Sequence, residues 1–586
     1  MSNQVSQPKA VACPSEDSSA TRREFLTRMR GGAAVVLASS AVSFGSPAEA
    51  GPAPTGSGRF DAVDRVLDSY QNRVEAARDE ANIPVPPETT NRDEQNYPNF
   101  IGNYHKGLSH NKIGEVDRSA YLALLNAVSQ GTSAEFEQIP LGGNTLLVNP
   151  LSGLAFDLEG TDSHQLAIPP FPSVASQTLA DQAVELYWQA LCRDVNFTDY
   201  PTDLTAVAAV SELSRLPTYA GVTAQTLFRG FTADDAIGPY VSQLLLSPMN
   251  YGPYFMDGRM SMYIPGVDYM TDQPHWLAVQ NGQGPFGQNT VDSQPRYIRN
   301  GRDYAMFVHT DPLAGLFMTF YNAGMLLFEK GAPLNPGNPY RAAAKGGYTK
   351  QVPFGTFGVP FFLGLMGEVA TRAFKAVWYA KWFVHRALRP EAFGGLVHMT
   401  MTGQAGYPLH KDILHSDAVQ NVFSKYGSYF LPQAFPEGCP QHPSYAQGHG
   451  SMAGACATIL KAAVDGSFPY QELPNSITLA GSVRSKTTPP TPIVTANGKD
   501  GGQSLAAYTG PDAGQITLNG EINKLASNIG LARDFAGIHW RSDYAQGLLL
   551  GEAVALSVLR DQSENYVGED FQGFVISKFD GTTVTV

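Results

Sequence analysis

Lys381–Trp382–Phe383–Val384–His385–Arg386–Ala387–Leu388–Arg389–Pro390 is the stretch on which the fold turns. Phe374, Val377 and Trp378, just before it, join Trp382 and Phe383 in making a helix here apolar nearly all round. Such a helix is buried, and a buried cation needs a partner. Lys381 and Arg389 are eight positions apart, an offset of roughly 80° around a helix, so both lean to one side. Pro390 ends the helix, which places Arg389 at its C-terminal rim. The ordinary meaning of Lys and Arg on a helix is a solvated basic face, and the apolar surround argues against it. A core helix over 367–388, carrying cations inward, is the prediction.

Two later segments offer those cations company. His442–Pro443–Ser444–Tyr445–Ala446–Gln447–Gly448–His449 runs into Gly450, Ser451, Ala453 and Gly454, which open a helix. Glycine lets a backbone amide approach an anion closely, and the helix N-terminus adds free N–H groups and a positive dipole end. His449 stands where a proton could pass to or from a bound oxygen. Alone, a Gly-His pair reads as a tight turn with a satisfied histidine; its neighbours reverse that preference. The third segment holds Arg533, then His539–Trp540–Arg541–Ser542–Asp543. If the helix persists, Asp543 is one turn from His539 and can accept its ring N–H, which tunes the other nitrogen as a metal ligand. A surface helix pair is the plainer reading. Either ring nitrogen could ligate. Together the segments supply three fixed cations, a glycine amide and several imidazoles, the needs of a highly charged tetrahedral oxyanion.

The rest of the chain sets bounds. Of 586 residues, 43% are hydrophobic and only 16% charged, so a large core can be buried; the net charge of −13 argues against nucleic acid and anionic membranes as partners. Frequent glycine and proline imply long connections. Helices are predicted over 60–82, 117–135, 181–194, 202–215, 304–330, 450–465, 520–535 and 545–562, with Val63, Val66, Leu67 and Tyr70 on one buried face of the first. Residues 473–513 read as a loop with a hairpin, a small β insert. The expected fold is mainly α, a helical bundle with long loops, and bundles can bury cofactor sites between facing helices.

The first 50 residues read as an export leader: Thr21–Arg22–Arg23–Glu24–Phe25–Leu26, an apolar run from Ala33 to Val42, and Ala48–Glu49–Ala50 as a cleavage site. A disordered basic tail explains the order of these parts less well. The run is too short to span a bilayer, and no membrane span is expected later. The expected organisation is a twin-arginine leader over 1–50, a loop-rich region over 51–180 and a helical catalytic domain over 181–586. Export would deliver the protein to the periplasm or beyond. There Cys192, Cys439 and Cys456 could form one disulfide, with Cys456, in a small-residue helix, expected to be merely buried.

The three segments, in this order, resemble the vanadium-dependent haloperoxidases. Trp382, His385–Arg386 and Arg389–Pro390–Glu391–Ala392 are similar to the bromoperoxidase branch, as are His442–Pro443–Ser444–Tyr445, Gly537–Ile538–His539–Trp540–Arg541 and Gln546–Gly547–Leu548. Upstream, Glu185–Leu186–Tyr187–Trp188, Gly238–Pro239–Tyr240–Val241–Ser242–Gln243 and Gly301–Arg302–Asp303 extend the resemblance over roughly 180–560. It implies the helical-bundle fold shared with acid phosphatases, vanadate as cofactor and no haem. It implies that Lys381, Arg389, Arg533 and the amide of Gly448 hold vanadate oxygens, that His539 ligates vanadium, and that His449 is the acid–base residue. His442 matches a second histidine of that branch, and Trp378 a pocket position that varies with halide preference. Asp543 would support His539 from behind. Gln447 departs from the pattern, standing where a small hydroxyl residue precedes Gly-His. Its amide can donate but needs different room.

The activity so implied is oxidation of halide, bromide by resemblance, with hydrogen peroxide to hypohalous acid that halogenates a small organic acceptor. Vanadate would act as a Lewis acid without changing oxidation state, and Lys381 would assist His449 with positive charge. Relatives form dimers or larger shells, which leaves a homo-oligomer open. Two rivals remain. An acid phosphatase or phosphatidic acid phosphatase would use the same cage for phosphate, with His539 attacking phosphorus. An exported oxyanion-binding protein would need the cage but not His449.

Overall fold

A computed structural model describes residues 62–341, 347–474, 477–480, 483–486, 490–566 and 569–586. The export leader, its cleavage site and Cys13 lie outside the described residues. The chain divides into two units, residues 1–68 and 69–586. The described part of the first is the start of one helix, Ala62–Ala81, which continues into the second.

Among the described residues, thirteen helices have eight residues or more. They are α1 (Ala62–Ala81), α2 (Arg118–Gln130), α3 (Gln177–Leu191), α4 (Leu204–Leu213), α5 (Gln273–Gln280), α6 (Gly301–Thr310) and α7 (Met318–Glu329). Then come α8 (Val359–Tyr379), α9 (Pro390–Met401), α10 (Asp417–Tyr426), α11 (Gly448–Ala463), α12 (Leu518–Phe535) and α13 (Arg541–Ser563). Strands occur only as four short antiparallel hairpins among these residues. The mainly α fold is therefore as the sequence indicates. The insert holds two of the hairpins, β1–β2 (Ile477–Ala480 with Val483–Lys486) and β3–β4 (Val494–Ala496 with Leu505–Ala507).

At the centre, α11 packs against α8, α12 and α13. Its small residues explain how. A methyl group on Gly454 would come 2.1 Å from the Leu548 carbonyl oxygen, and one on Gly551 would come 1.9 Å from that of Ser451. The α11 and α13 backbones thus touch directly, which only glycine permits. The same approach joins the N-terminal ends of the two helices: the Gln447 amide donates to the Asp543 carbonyl at 2.9 Å. Gly448–His449 and His539–Asp543 meet there.

Two readings are corrected, and one point that the sequence leaves open is decided. The run 304–330 is two helices, because Pro312 and the left-handed Gly315 interrupt it with a short turn, Asp311–Ala314. On α1, Val63, Val66 and Tyr70 are exposed rather than buried; the periodicity reports the helix, not its covering. Cys192, Cys439 and Cys456 are all buried free thiols, so no pair among them is bonded. No described helix is long and apolar enough to cross a membrane.

Candidate metal centre

The break between α8 and α9 positions the first two cations. After Tyr379 the chain widens into one π-helical turn, Ala380–His385, and Arg386 takes a left-handed conformation (φ 41°). Arg389 then caps α9, with Pro390 as its first residue, a position that suits proline because no N–H is needed there. Arg389 is therefore at the start of a second helix, not at the rim of the first. The two cations converge on one loop instead. Lys381 Nζ donates to the carbonyls of Pro443 (2.8 Å) and Ser444 (2.6 Å), and Arg389 Nε donates to that of His442 (2.8 Å). Arg386 turns away to an ion pair with Glu94 at 2.8 Å.

His539 lies in the elbow between α12 and α13, where Gly537 (φ 82°) reverses the chain. The expected helical turn between His539 and Asp543 is absent. Asp543 instead stands in the first turn of α13 and reaches back, accepting from the Trp540 amide at 3.1 Å and from His539 Nδ1 at 2.7 Å. The same carboxylate oxygen takes the Ser444 hydroxyl. A carboxylate on Nδ1 assigns the proton there and leaves the Nε2 lone pair facing inward. Nε2 lies 2.9 Å from Arg389 Nη1. Burial, then Arg389, Lys381 and Arg533, push the His539 imidazole well below its ordinary range, so it stays neutral, as a metal ligand must.

The end of α6 holds the opposite wall. Arg533, in the last turn of α12, donates to the Val308 carbonyl at 3.2 Å. His449 Nε2 lies 3.1 Å from a carboxylate oxygen of Asp311. Burial lowers the His449 pKa and Asp311 opposes that shift. Sequence reasoning missed Asp311 because 304–330 read as one helix; the Asp311–Pro312 step was the available signal for a turn. His442 and Trp378 close the third side. Their rings sit 4.8 Å apart, and Lys381 Nζ is 5.9 Å from the Trp378 ring centre. A side chain on Gly448 would bring its first carbon to 3.2 Å from the Trp378 ring, so the indole and the amide share a space that glycine keeps open. Gln447 is fully buried. Its amide nitrogen donates to the Gly530 carbonyl at 3.0 Å, and its side-chain oxygen has no hydrogen-bond partner.

Electrostatics decides what this arrangement can hold. Lys381, Arg389 and Arg533 are 0%, 1% and 7% exposed. None forms an ion pair with a carboxylate among the described residues, whereas buried Lys106, Arg193, Arg302 and Lys524 each do. Burial forces the Lys381 amine well below its usual range and takes Arg533 down to about 10. The Nε of Arg533 is buried with no hydrogen-bond partner. No trio of His, Cys, Asp or Glu among the described residues forms a conventional multidentate metal site. One inward imidazole nitrogen, three uncompensated cations and the N-terminus of α11 fit an oxyanion of a metal: a single protein ligand suffices, and the charges lie on its oxygens.

Comparison with known proteins agrees. Residues 362–568 match the model of the VCPO second helical-bundle domain. The chain is 32% identical to a vanadium-dependent bromoperoxidase of Ascophyllum nodosum over 555 residues, covering 89% of this chain and 93% of that protein. It is 32% identical to the enzyme of the same description from Corallina pilulifera, over 89% of this chain and 98% of that one. The chain belongs to the vanadium-dependent haloperoxidases. The structure superposes on the homohexameric second vanadate-dependent bromoperoxidase of Ascophyllum nodosum with a TM-score of 0.77 and 28% identity, over 94% of this chain and 95% of that one. As a haloperoxidase of the bromoperoxidase branch, the protein is a peroxidase, and its family implies a vanadate cofactor. All ten residues singled out in the sequence of this haloperoxidase lie on the segments that meet at α8–α9, α11 and the α12–α13 elbow.

Proposed function

We propose that this haloperoxidase oxidises bromide with hydrogen peroxide to hypobromous acid, which halogenates a small organic acceptor. The observation that carries the reading is the excess of positive charge: three buried cations, none with a carboxylate in ion-pair contact, surround an imidazole nitrogen fixed by Asp543. Bound vanadate would supply Lewis acidity that polarises the peroxide O–O bond. His539 Nε2 would ligate the vanadium. Lys381, Arg389, Arg533 and the Gly448 amide neutralise charge on the oxygens, a preorganised electrostatic role. Gln447 retains a second amide hydrogen to offer at the α11 N-terminus. Asp311 accepts from His449 Nε2, which leaves Nδ1 as the ring nitrogen through which His449 would serve as acid and base. His442 and Trp378 line the side where halide would approach, and together they favour bromide by resemblance to the bromoperoxidase branch. Residues 1–50 would export the enzyme to the periplasm by the twin-arginine route, 51–180 would form a loop-rich N-terminal region, and 181–586 would carry catalysis.

The test is a pair of assays on purified protein reconstituted with orthovanadate. Bromination of a diketone with peroxide and bromide is expected, and hydrolysis of p-nitrophenyl phosphate is expected to be negligible. The reverse pattern would make the same cage a phosphoesterase site.

A further inference from the structure

The cage explains what faces the anion. A separate set of contacts, on the outer side of the elbow, addresses how His539 is held in direction. Helix α3 presents Gln182 and Glu185 on one face, with Arg193 just beyond its end. Gln182 accepts from the Ser542 amide at 3.0 Å, and Arg193 Nε donates to the Phe535 carbonyl at 2.8 Å. Between them Glu185 takes Arg541 in a fork: Nε donates at 2.8 Å and Nη2 donates to the other oxygen. The Tyr219 hydroxyl adds a third bond to Glu185 at 2.7 Å, and Arg541 Nη1 donates to the Arg229 carbonyl at 2.9 Å. Both ends of the elbow are thereby tied to α3, and Arg541 is only two residues after His539.

Resting on the vanadate reading, we propose that Glu185 and Arg541 are positioning residues for His539: their forked ion pair pins the first turn of α13 to α3 and so aims the imidazole Nε2 at the metal. A buried ion pair is a poor source of stability compared with apolar residues of the same volume. What it supplies is direction, because two parallel N–H···O bonds fix the plane of the guanidinium. Asp543 sets the tautomer and rotation of the His539 ring. The Arg541–Glu185 fork sets where the backbone beneath that ring sits.

The experiment separates aim from stability. In a Glu185→Leu/Arg541→Met double variant both charges of the pair go together and the volume nearly stays, so neither partner is left stranded. Vanadate affinity is read by titration of the vanadate-free protein followed by ⁵¹V NMR, beside its thermal midpoint. The expected result is a midpoint at or above that of the wild type with a vanadate Kd raised about 10–100-fold, the usual effect of losing support behind a metal ligand. Arg541→Lys, which keeps the charge and loses the fork, is expected to raise Kd by a smaller factor, and it carries the test should the double variant not fold. A folded variant with wild-type vanadate Kd and wild-type kcat would overturn the inference. Failure of the wild type itself to bind vanadate would instead sink the functional reading.

Discussion

Lys106 and Lys381 are both buried lysines that bond the same loop, Lys106 through the Cys439 carbonyl and Lys381 through those of Pro443 and Ser444. Lys106 also has a carboxylate, Glu391, at 2.6 Å. Lys381 has none in contact: burial and Arg389 hold its pKa down, and the more distant Asp543, already engaged by His539, opposes them only in part. One lysine is a finished ion pair that fastens α9 to the loop. The other is half of a pair whose anion is not part of the chain. Buried charge is costly unless compensated, so a protein that leaves three cations in this state holds a site strained in favour of an anionic ligand. Stability is given up where function needs affinity.

The largest effect that can break this comparison is on the cage ligand. His539→Ala is expected to lower halogenation by at least about 10²–10³-fold, the scale of losing one fixed catalytic group, and to leave the folding of the vanadate-free protein nearly unchanged. Steady-state kinetics beside circular dichroism checks both halves; a variant that keeps its activity would remove His539 as the ligand. Next in size is the paired region. Glu391→Ala strands Lys106 and is expected to cost about 3–5 kcal/mol in denaturant unfolding. Lys381→Met should show the opposite profile, with vanadate-free stability equal or higher and vanadate binding weakened. Equal destabilisation by the two changes would mean that the cage charges are compensated after all.

Much of this was legible in the sequence. An apolar helix that contains Lys381, a glycine pair before His449 and the spacing of Arg533 from His539 state the chemistry without coordinates, because residue type alone fixes charge and ligand capacity. Direction was less legible. The i, i+4 spacing of His539 and Asp543 suggested a continuous helix, yet Gly537 turns the chain and the pair forms across a helix start. Pro390 read as a stop, while tertiary packing used it as a beginning. Asp311 was hidden because its partner, His449, is distant in the chain, and long-range pairs leave no local period. Gln447 announced an anomaly, but only packing says that its amide is engaged by Gly530.

A third kind of buried cation sharpens the contrast further. Lys461, on α11, has neither a carboxylate ion pair nor a hydrogen bond for its amine, which lies 3.8 Å from the Phe579 ring centre. Burial takes its pKa down to about 7 from 10.5. The unfolded chain therefore binds a proton that the folded chain does not, between those two values. Stability should rise with pH across that window, by up to about 1.4 kcal/mol per pH unit for one proton. Lys461→Met should flatten that slope and stabilise the protein most at neutral pH. An unchanged slope in urea unfolding between pH 7 and 10 would mean that the amine stays charged and is paired in some other way. An arginine could not escape burial by this route, so Arg389 and Arg533 keep their demand for an anion across the whole pH range.

The smallest expected effect lies at Gln447, where the cage meets the packing behind it. Its amide is committed to Gly530 and its side-chain oxygen is buried without a partner. That oxygen is an acceptor, and an acceptor beside an anion is unfavourable unless it points away. Gln447→Ser would remove it and place a hydroxyl donor at the start of α11, at the expense of the bond to Gly530 and of a void beside Gly450. A net hydrogen-bond change of this kind is worth about 0.5–1.5 kcal/mol, so vanadate affinity should rise by several-fold while thermal stability falls. Tighter binding with lower stability would mark Gln447 as a residue of the packed side of the boundary, like Lys106. Weaker binding would place it with Lys381, its remaining amide hydrogen already serving the anion.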